Sequence, residues 1–479
     1  MDERFVSTLI TATVAILALA LVWIWVSNPL AQDIKKRVPG IDMASQDGIK
    51  QVLHTTVDIE GAFQLFDGVP ASIQGAWPRF RGRYADNISR DAIALSADWH
   101  NQAPPIRWSV QLGAGYAGAA IFAGRVFVLD YDVALQGDAL RCFSLDDGKE
   151  LWRRWYGVPI KPNHGMSRTV PAVTEQYTVT IGPKCHVLCV DTDTGAFRWG
   201  LDLAEEYDTA VPLWYTGQCP LIDGTIAVIA PGGRALMIGI DCATGDIVWE
   251  TPNPKGWHMS HSSIIPMAFH GRNMYVYCAL GGMVGVSADE EDRGVVVWET
   301  TAWNHAVIAP SPVILDDGRI FVTAGYGVGS MMLQCAEENN QFSITPLYSL
   351  DRKVFACEQH TPIFYEGYLY GILPNDAGPL KRQCACLHPD GHLVWTSGPT
   401  HRFGLGPFLI ADGKMYILND EGELTVIQAT PQKYAQLSTI KLFEAHEAWA
   451  PMALVNGRLV LRDIERLICV DIGEEQEYD

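Results

Sequence analysis

A two-residue turn ending in glycine recurs along most of this chain at a near-constant interval. It reads Ala123-Gly124, Asp223-Gly224, His270-Gly271, Asp317-Gly318, Glu366-Gly367, Asp412-Gly413 and Asn456-Gly457. From Gly224 onward the glycines stand 47, 47, 49, 46 and 44 residues apart. The interval from Gly124 to Gly224 is 100 residues and leaves room for a degenerate copy at Glu175-Gln176. Each turn joins two short apolar runs, such as Ala119 to Phe122 and Val126 to Leu129, which is the pattern of a β-hairpin. Hairpins repeating at this period build a β-propeller, in which each repeat buries its apolar face against its neighbours.

A second periodic signal runs in phase with the first. Asp147-Gly148 precedes Trp152, Thr194-Gly195 precedes Trp199, and Thr244-Gly245 precedes Trp249, the ring each time four positions after the glycine. Gly294 with Trp298 and Gly391 with Trp395 keep that gap. The pattern predicts a hairpin between the third and fourth strands of each blade, with the indole packed between neighbouring blades. Outer strands then fall at Trp108, Trp152, Trp199, Trp249, Trp298, near Tyr348, at Trp395 and near Leu442. Three strands after Leu442 lack a fourth, and Ile106 to Val110 is an outer strand with no inner strands before it. Pairing strand 106–110 with the strands of 451–471 closes the ring and removes open sheet edges. The expected fold is all-β: an eight-bladed propeller of four-stranded blades, with seven blades as the alternative.

The bulk composition is consistent with a folded chain: 48% of its 479 residues are hydrophobic and 19% charged. The formal net charge of −20 argues against nucleic acid, whose phosphates would be repelled. Residues 5–26 contain no charge and would reach ~33 Å as a helix, enough to cross a bilayer. Trp23 and Trp25 stand where interfacial aromatics do. An uncleaved anchor is expected over 1–30, a tether over 31–74 and the propeller over 75–479. Lys35, Lys36 and Arg37 follow the span, which the positive-inside rule taken literally would keep in the cytoplasm. The eleven cysteines, an odd number, spell out no disulfide framework; several sit on strand positions as small core hydrophobes.

The stretch Cys189-Val190-Asp191-Thr192-Asp193-Thr194-Gly195-Ala196-Phe197-Arg198-Trp199 resembles the repeat of pyrroloquinoline-quinone-type propellers, as does Gly239 to Trp249. Cys142 to Trp152 is a variant of it, and Trp77-Pro78-Arg79-Phe80-Arg81-Gly82 looks like the lead-in segment of many bacterial members. The superfamily includes quinoprotein dehydrogenases, which hold quinone and calcium on the axis, and cofactor-free scaffolds such as the propeller lipoprotein of the outer-membrane β-barrel assembly machine. The chain lacks the adjacent cysteine pair of the dehydrogenases, with Cys384-Ala385-Cys386 the nearest approach, and has no Cys-x-x-Cys-His haem motif. It also lacks the lipobox cysteine of the scaffold. The resemblance implies export: a single-pass inner-membrane protein with the propeller in the periplasm, partnered by cell-envelope proteins. A non-enzymatic scaffold with no cofactor is the first expectation. A dehydrogenase using the quinone with calcium, or a small-ligand or metal binder, is the alternative.

Chemistry in a propeller is sought in loops running from one blade's outer strand to the next blade's inner strand, which open near the axis. Those loops carry His164, Arg168, Tyr215, Gln218, His258, His261, His305, Glu358, His360, Arg402 and Trp449, the candidate ligand-binding residues of the channel mouth. His401 and His446 lie there too. Imidazoles suit zinc, copper and iron, and Arg168 or Arg402 suits an anion; hydrogen bonding to inner-strand backbone is the competing role. The metal, if any, is left unknown. No Gly-x-Ser-x-Gly, phosphate-binding loop or His-Glu-x-x-His occurs, so nucleophilic, nucleotide and zincin chemistry have no support.

Overall fold

The computed structural model describes residues 3–26, 57–99, 102–160 and 166–474. The chain forms two compact units, Met1–His54 and Thr55–Asp479. In the first, Glu3–Val26 is an α-helix. Among the described residues, no helix is long and apolar enough to cross a membrane.

The second unit is an eight-bladed β-propeller. Blade 1 consists of Ala120–Phe122, Arg125–Asp132, Gly137–Ser144 and Glu150–Gly157. Blade 2 follows as Ala172–Val173, Tyr177–Ile181, His186–Asp191 and Phe197–Asp202. Blade 3 is Leu221–Asp223, Ile226–Ile229, Ala235–Asp241 and Ile247–Pro252. Blade 4 is Ile265–Phe269, Arg272–Ala279, Gly282–Ser287 and Val296–Thr300. Blade 5 is Val313–Ile314, Arg319–Ala324 and a long outer hairpin, Gly329–Glu338 and Gln341–Leu350. Blade 6 is Ile363–Tyr365, Tyr368–Ile372, Cys384–Leu387 and Leu393–Thr396. Blade 7 is Phe408–Ala411, Lys414–Leu418, Glu423–Gln428 and Gln436–Lys441. Blade 8 joins Ala453–Val455, Arg458–Arg462 and Arg466–Asp471 to Ile106–Gln111 from the other end of the chain. The degenerate turn copy near Glu175-Gln176 is real: it links the first two strands of blade 2.

The turn-and-ring motif locks one blade to the next. A β-carbon on Gly245, at φ +82°, would lie 2.7 Å from the Trp199 ring of the preceding blade. Only glycine tolerates both that backbone and that approach. The Trp199 indole N–H donates to Cys242 O at 3.0 Å, and Trp108 repeats the contact on Leu145 O at 2.9 Å. Trp395 does so on Thr430 O, and the Tyr348 hydroxyl on Pro389 O. Opposite each ring stands a residue that leaves room for it: Cys142, Cys189, Cys386 and Cys469 face tryptophans, and Gly239 and Gly285 take the others. All eight blades carry a register shift next to this position, and such a bulge bends the outer strand over its neighbour.

The expectation of an outer-strand core position near Leu442 is corrected. In blade 7 the residue at the bulge, paired with Val426, is Ser438; Leu442 lies past the strand. The physical reason is ring closure. At the seats of Trp108, Trp199, Tyr348 and Trp395, the ring of one blade docks on the turn between the third and fourth strands of the next. In blade 8 those strands come from opposite ends of the chain, so no such turn exists. The junction of blade 8 with blade 1 keeps its Trp108 seat and gains an arginine. Arg462, 1% exposed, donates to Ala117 O, Leu129 O and Gly113 O, stapling blade 8 to blade 1.

Residues before the ring are built into it. Ala62–Leu65 adds a fifth, antiparallel strand to the outer edge of blade 1. Ala76–Trp77 pairs with the inner strand of blade 1, and Val173 N in blade 2 donates to Pro78 O. Arg79 reaches Ile222 O in blade 3, Arg81 donates to Pro362 O in blade 6 at 2.9 Å, and Ile88–Ser89 pairs in parallel with the inner strand of blade 7. A segment touching innermost strands on opposite sides of the ring must cross the axis. Trp77 and Arg81 are 3% and 4% exposed, so this crossing fills the channel at the end away from the mouth.

Candidate functional site

At the mouth, five consecutive blades are tied by small polar groups just ahead of their inner strands. Val170 N donates to Cys219 Sγ at 3.2 Å, Cys219 N to Ser263 Oγ at 3.0 Å, Ser263 N to Ser311 Oγ at 3.0 Å, and Ser311 N to Thr361 Oγ1 at 2.8 Å. An inner strand has no neighbour on its axial side, so its free N–H groups need such partners. Cys219 belongs to this belt. Burial pushes its thiol up to about 11, which leaves it a poor nucleophile.

Above the belt sits a cluster of rings. Tyr116 stacks on Trp449 at 5.4 Å, and Trp214 stacks on Tyr326 at 5.8 Å with His261 at 6.2 Å. Arg168 joins the two groups: its guanidinium lies 5.2 Å over the Tyr116 ring and its Nε donates to Trp214 O. Burial lowers the Arg168 guanidinium to about 10. The cation still holds its proton at neutral pH, at a desolvation cost that the surrounding ring faces offset in part. The Tyr116 hydroxyl donates to Glu447 Oε2 at 2.5 Å, and the Trp449 indole N–H to Asp420 Oδ1 at 2.7 Å. Four non-glycine residues here have left-handed backbone: Trp214 (φ 60°), Tyr215 (φ 70°), Tyr326 (φ 56°) and Glu447 (φ 60°). Such strain persists only where the surroundings over-determine it.

The structure gathers some of the sequence-predicted residues and separates others. Arg168, Tyr215, His261 and Trp449 belong to the cluster or touch it. Burial and the Arg168 charge hold His261 down to about 4, so it is neutral at physiological pH. Glu358 flanks Tyr326, its carboxyl raised by burial and its Oε2 accepting from Asn375 N. His360 lies deeper, held down to about 4 by burial and facing Arg81 from the axial segment. Gln218 is fully buried and spends its amide on Ala230, through both N–H and C=O, and on the Tyr277 hydroxyl. His258 is exposed and pairs through its backbone with Leu280. His305 sits edge-on to Trp303 at 4.5 Å, its imidazole lowered by burial. Arg402 binds backbone carbonyls of Pro399, Lys381 and Pro379. His164 lies outside the described residues. Tyr116 stands in the outer-to-inner loop between blades 8 and 1 but was not among the sequence candidates, and Tyr326 and Asp420 lie outside such loops. Tyr326 and Asp420 come from loops between second and third strands, which open on the same end of the ring. The local signal for them was weak: Tyr326 precedes a glycine, as turn residues do.

Chemically the mouth is a set of aromatic faces around one desolvated cation. The hydroxyl that faces a carboxylate there, Tyr116 on Glu447, is raised by burial and by that carboxylate and so keeps its proton. The carboxylates nearest the rings, Glu447 and Asp420, are already hydrogen-bonded to Tyr116 and Trp449.

Residues 136–356, a little under half of the chain, match the family model described as outer membrane protein assembly factor BamB. No curated protein matches the sequence. Among solved structures, BamB from Moraxella catarrhalis is similar over 77% of this chain and 99% of that one, with a TM-score of 0.52 and 12% identity. Quinohemoprotein alcohol dehydrogenase from Comamonas testosteroni is similar over 83% of this chain and 80% of that one, with a TM-score of 0.56 and 12% identity. At such identities the likeness is one of fold. The chain is thus a β-propeller whose segment 136–356 is similar to the BamB family model.

Proposed function

We propose that this protein is a non-enzymatic propeller scaffold of the bacterial cell envelope, presenting its rim and mouth loops to other envelope proteins. The observation that supports this reading best is that the polar groups of the mouth are spent on one another. Arg168 is used by Trp214 and Tyr116, Gln218 by Ala230 and Tyr277, Glu447 by Tyr116, and Asp420 by Trp449. The opposite end of the axis is filled by Trp77 and Arg81. The match over 136–356 points the same way, since its description is that of an assembly factor.

The reading includes a membrane tie. Residues 5–26 carry no charge, and we assign them as a single-pass inner-membrane anchor that keeps the propeller in the periplasm. Protease added to intact spheroplasts should digest the propeller; protection until lysis would place it in the cytoplasm.

The dehydrogenase neighbour raises the alternative of pyrroloquinoline quinone with calcium. The residues present do not fit that group. Cys384 and Cys386, the nearest approach to a quinone-facing cysteine pair, lie in the third strand of blade 6, both fully buried in apolar packing with Ile372 and Tyr370. The oxygens of Asp420 and Glu447 serve protein donors instead of a cation. The test uses the full chain extracted in mild detergent. Co-purification of envelope proteins at near-stoichiometric yield, with no dye-linked oxidation after incubation with quinone and calcium, is the expected result. Stoichiometric quinone uptake with activity would overturn the proposal.

A further inference from the structure

The turn between the third and fourth strands of blade 6 reads His388-Pro389-Asp390-Gly391-His392. It departs from the structural turn of the repeat. In blade 2 the corresponding turn is capped by Asp191, whose Oδ1 accepts from both the backbone N–H and the hydroxyl of Thr194. Blade 6 has no such pair. It closes through backbone, with His388 N donating to His392 O at 3.0 Å and Gly391 N to His388 O at 2.9 Å, and through its own ligating side chains, with Asp390 N donating to His388 Nδ1 and His392 N to Asp390 Oδ1 at 3.3 Å.

This closure brings three ligating side chains to one point. The two imidazoles stack at 4.7 Å with an interplanar angle of 15°. Both Nδ1 atoms face one oxygen: Asp390 Oδ1 lies 2.8 Å from His388 Nδ1 and 2.5 Å from His392 Nδ1. The ligating atoms all lie within 4.8 Å of one another. His388 Nδ1 also faces the backbone N–H of Asp390 at 3.2 Å. A neutral imidazole that accepts this N–H has no proton on Nδ1 to give the carboxylate. Its lone pair then faces a carboxylate oxygen at hydrogen-bond distance, and the second imidazole crowds the same oxygen. A cation among the three relieves that repulsion.

The turn is held from outside in this shape. The Tyr348 ring of blade 5 packs beneath Gly391, where an added β-carbon would lie 3.1 Å from it. The Tyr348 hydroxyl and the Arg319 guanidinium both donate to Pro389 O, at 2.8 and 3.3 Å. Tyr368 meets the His388 ring edge-on at 5.5 Å. His388 is half-buried and the other two residues are exposed, so the open side of the cluster faces solvent.

We propose that this turn is a metal site, taking a divalent transition metal of the zinc class through His388, Asp390 and His392. Two imidazoles with one carboxylate suit zinc and disfavour calcium or magnesium, which take all-oxygen sets. Three protein ligands leave at least one coordination position for water or for a donor from another molecule.

The test is isothermal titration of the full chain with zinc chloride in a non-chelating buffer at pH 7.5. One equivalent should bind. His392→Ala and Asp390→Asn should each weaken that site by about tenfold or more, with thermal melts matching the parent because both side chains are exposed. Tyr348→Phe, which removes a supporting hydroxyl and no ligand, should weaken it less. His270→Ala, an exposed imidazole paired with Glu337 in another blade, should leave it intact. Absence of a stoichiometric site, or zinc binding by His392→Ala and Asp390→Asn equal to that of the parent, would overturn the proposal. Equal loss in His270→Ala would overturn it too, by showing that zinc binds surface imidazoles without preference.

Discussion

Between blades 2 and 3 the Trp199 indole is seated on Gly245 and hydrogen-bonded to Cys242 O. Between blades 7 and 8 the same place in the sheet holds Ser438, whose hydroxyl is buried without a partner. Both junctions have the bulge, and only one has a turn to dock on. The contrast teaches that the repeat motif is a contact between blades and not a requirement within one. Where blade 8 takes its fourth strand from the other end of the chain, blade 7 finds no turn to dock on, while the junction of blade 8 with blade 1 keeps its Trp108 seat and adds an arginine. Arg462 crosses from blade 8 to three carbonyls of blade 1 and pays its desolvation with hydrogen bonds.

The largest expected effect comes from removing a seated ring. Trp199→Ala should cost about 3–5 kcal/mol, read from denaturant unfolding of the full chain. A cost below about 1 kcal/mol would mean that the junction is held by other contacts. Gly245→Ala attacks the same contact from the turn side. It combines an unfavourable backbone with a β-carbon driven against the indole, and about 2 kcal/mol or more is expected. If the alanine variant melts like the parent, the turn moves freely and the seat is not rigid.

The junction between blades 1 and 2 adds a pH dependence that sharpens the comparison. Asp138, 1% exposed, accepts from the Tyr156 hydroxyl at 2.9 Å and the Ser167 hydroxyl at 3.2 Å, with Gly182 of blade 2 against the group. Burial raises its carboxyl from 3.8 to about 7. The folded state therefore holds this proton more tightly than the unfolded one, and stability is lost as pH rises from about 4 through 7. Asp138→Asn has no proton to lose. It should gain stability relative to the parent at pH 8, on the order of 1–2 kcal/mol, and less at pH 5. A gain independent of pH would show that the carboxyl is already ionised in the fold. His261 and His360 act with the opposite sign. Held down to about 4 from 6.5, each withdraws stability as pH falls between those values.

The smallest effect is expected at the exceptional junction. Ser438→Ala should stay within about 0.5 kcal/mol of the parent, or stabilise slightly, because it removes a buried hydroxyl with no partner. A loss comparable to that of Trp199→Ala would mean that Ser438 makes a contact equivalent to the rings.

The repeat was legible because its turns need glycine and its junctions need a large ring, and both residue types are rare enough to show a period. Blade count and the degenerate turn in blade 2 followed from that period. Ser438 was not legible, since a missing tryptophan leaves no mark and apolar Leu442 lay close by. The mouth was half legible: Arg168, His261 and Trp449 stand in the loops that sequence order marks as axial. Tyr116 stands in such a loop too, between blades 8 and 1, while Asp420 reaches the cluster from a loop between second and third strands, and nothing local distinguishes either from ordinary loop residues. The His388 turn was passed over because its histidines lie at a hairpin tip, far along the chain from the loops that open on the axis.

Sequence alone determined the all-β hairpin periodicity, because backbone turns and strand alternation are decided by a few neighbouring residues. It also marked which side chains are too large to sit anywhere but between blades. Only the tertiary structure decided that residues 76–89 cross the axis, that the mouth's charges are spent on one another, and that two imidazoles converge on one carboxylate. The first two depend on groups tens to hundreds of residues apart; the third is local to five residues but is held in shape by Tyr348 and Arg319, 41 and 70 residues from Pro389. Their distances are set by closure of the ring, a property of all eight blades at once and of no segment by itself.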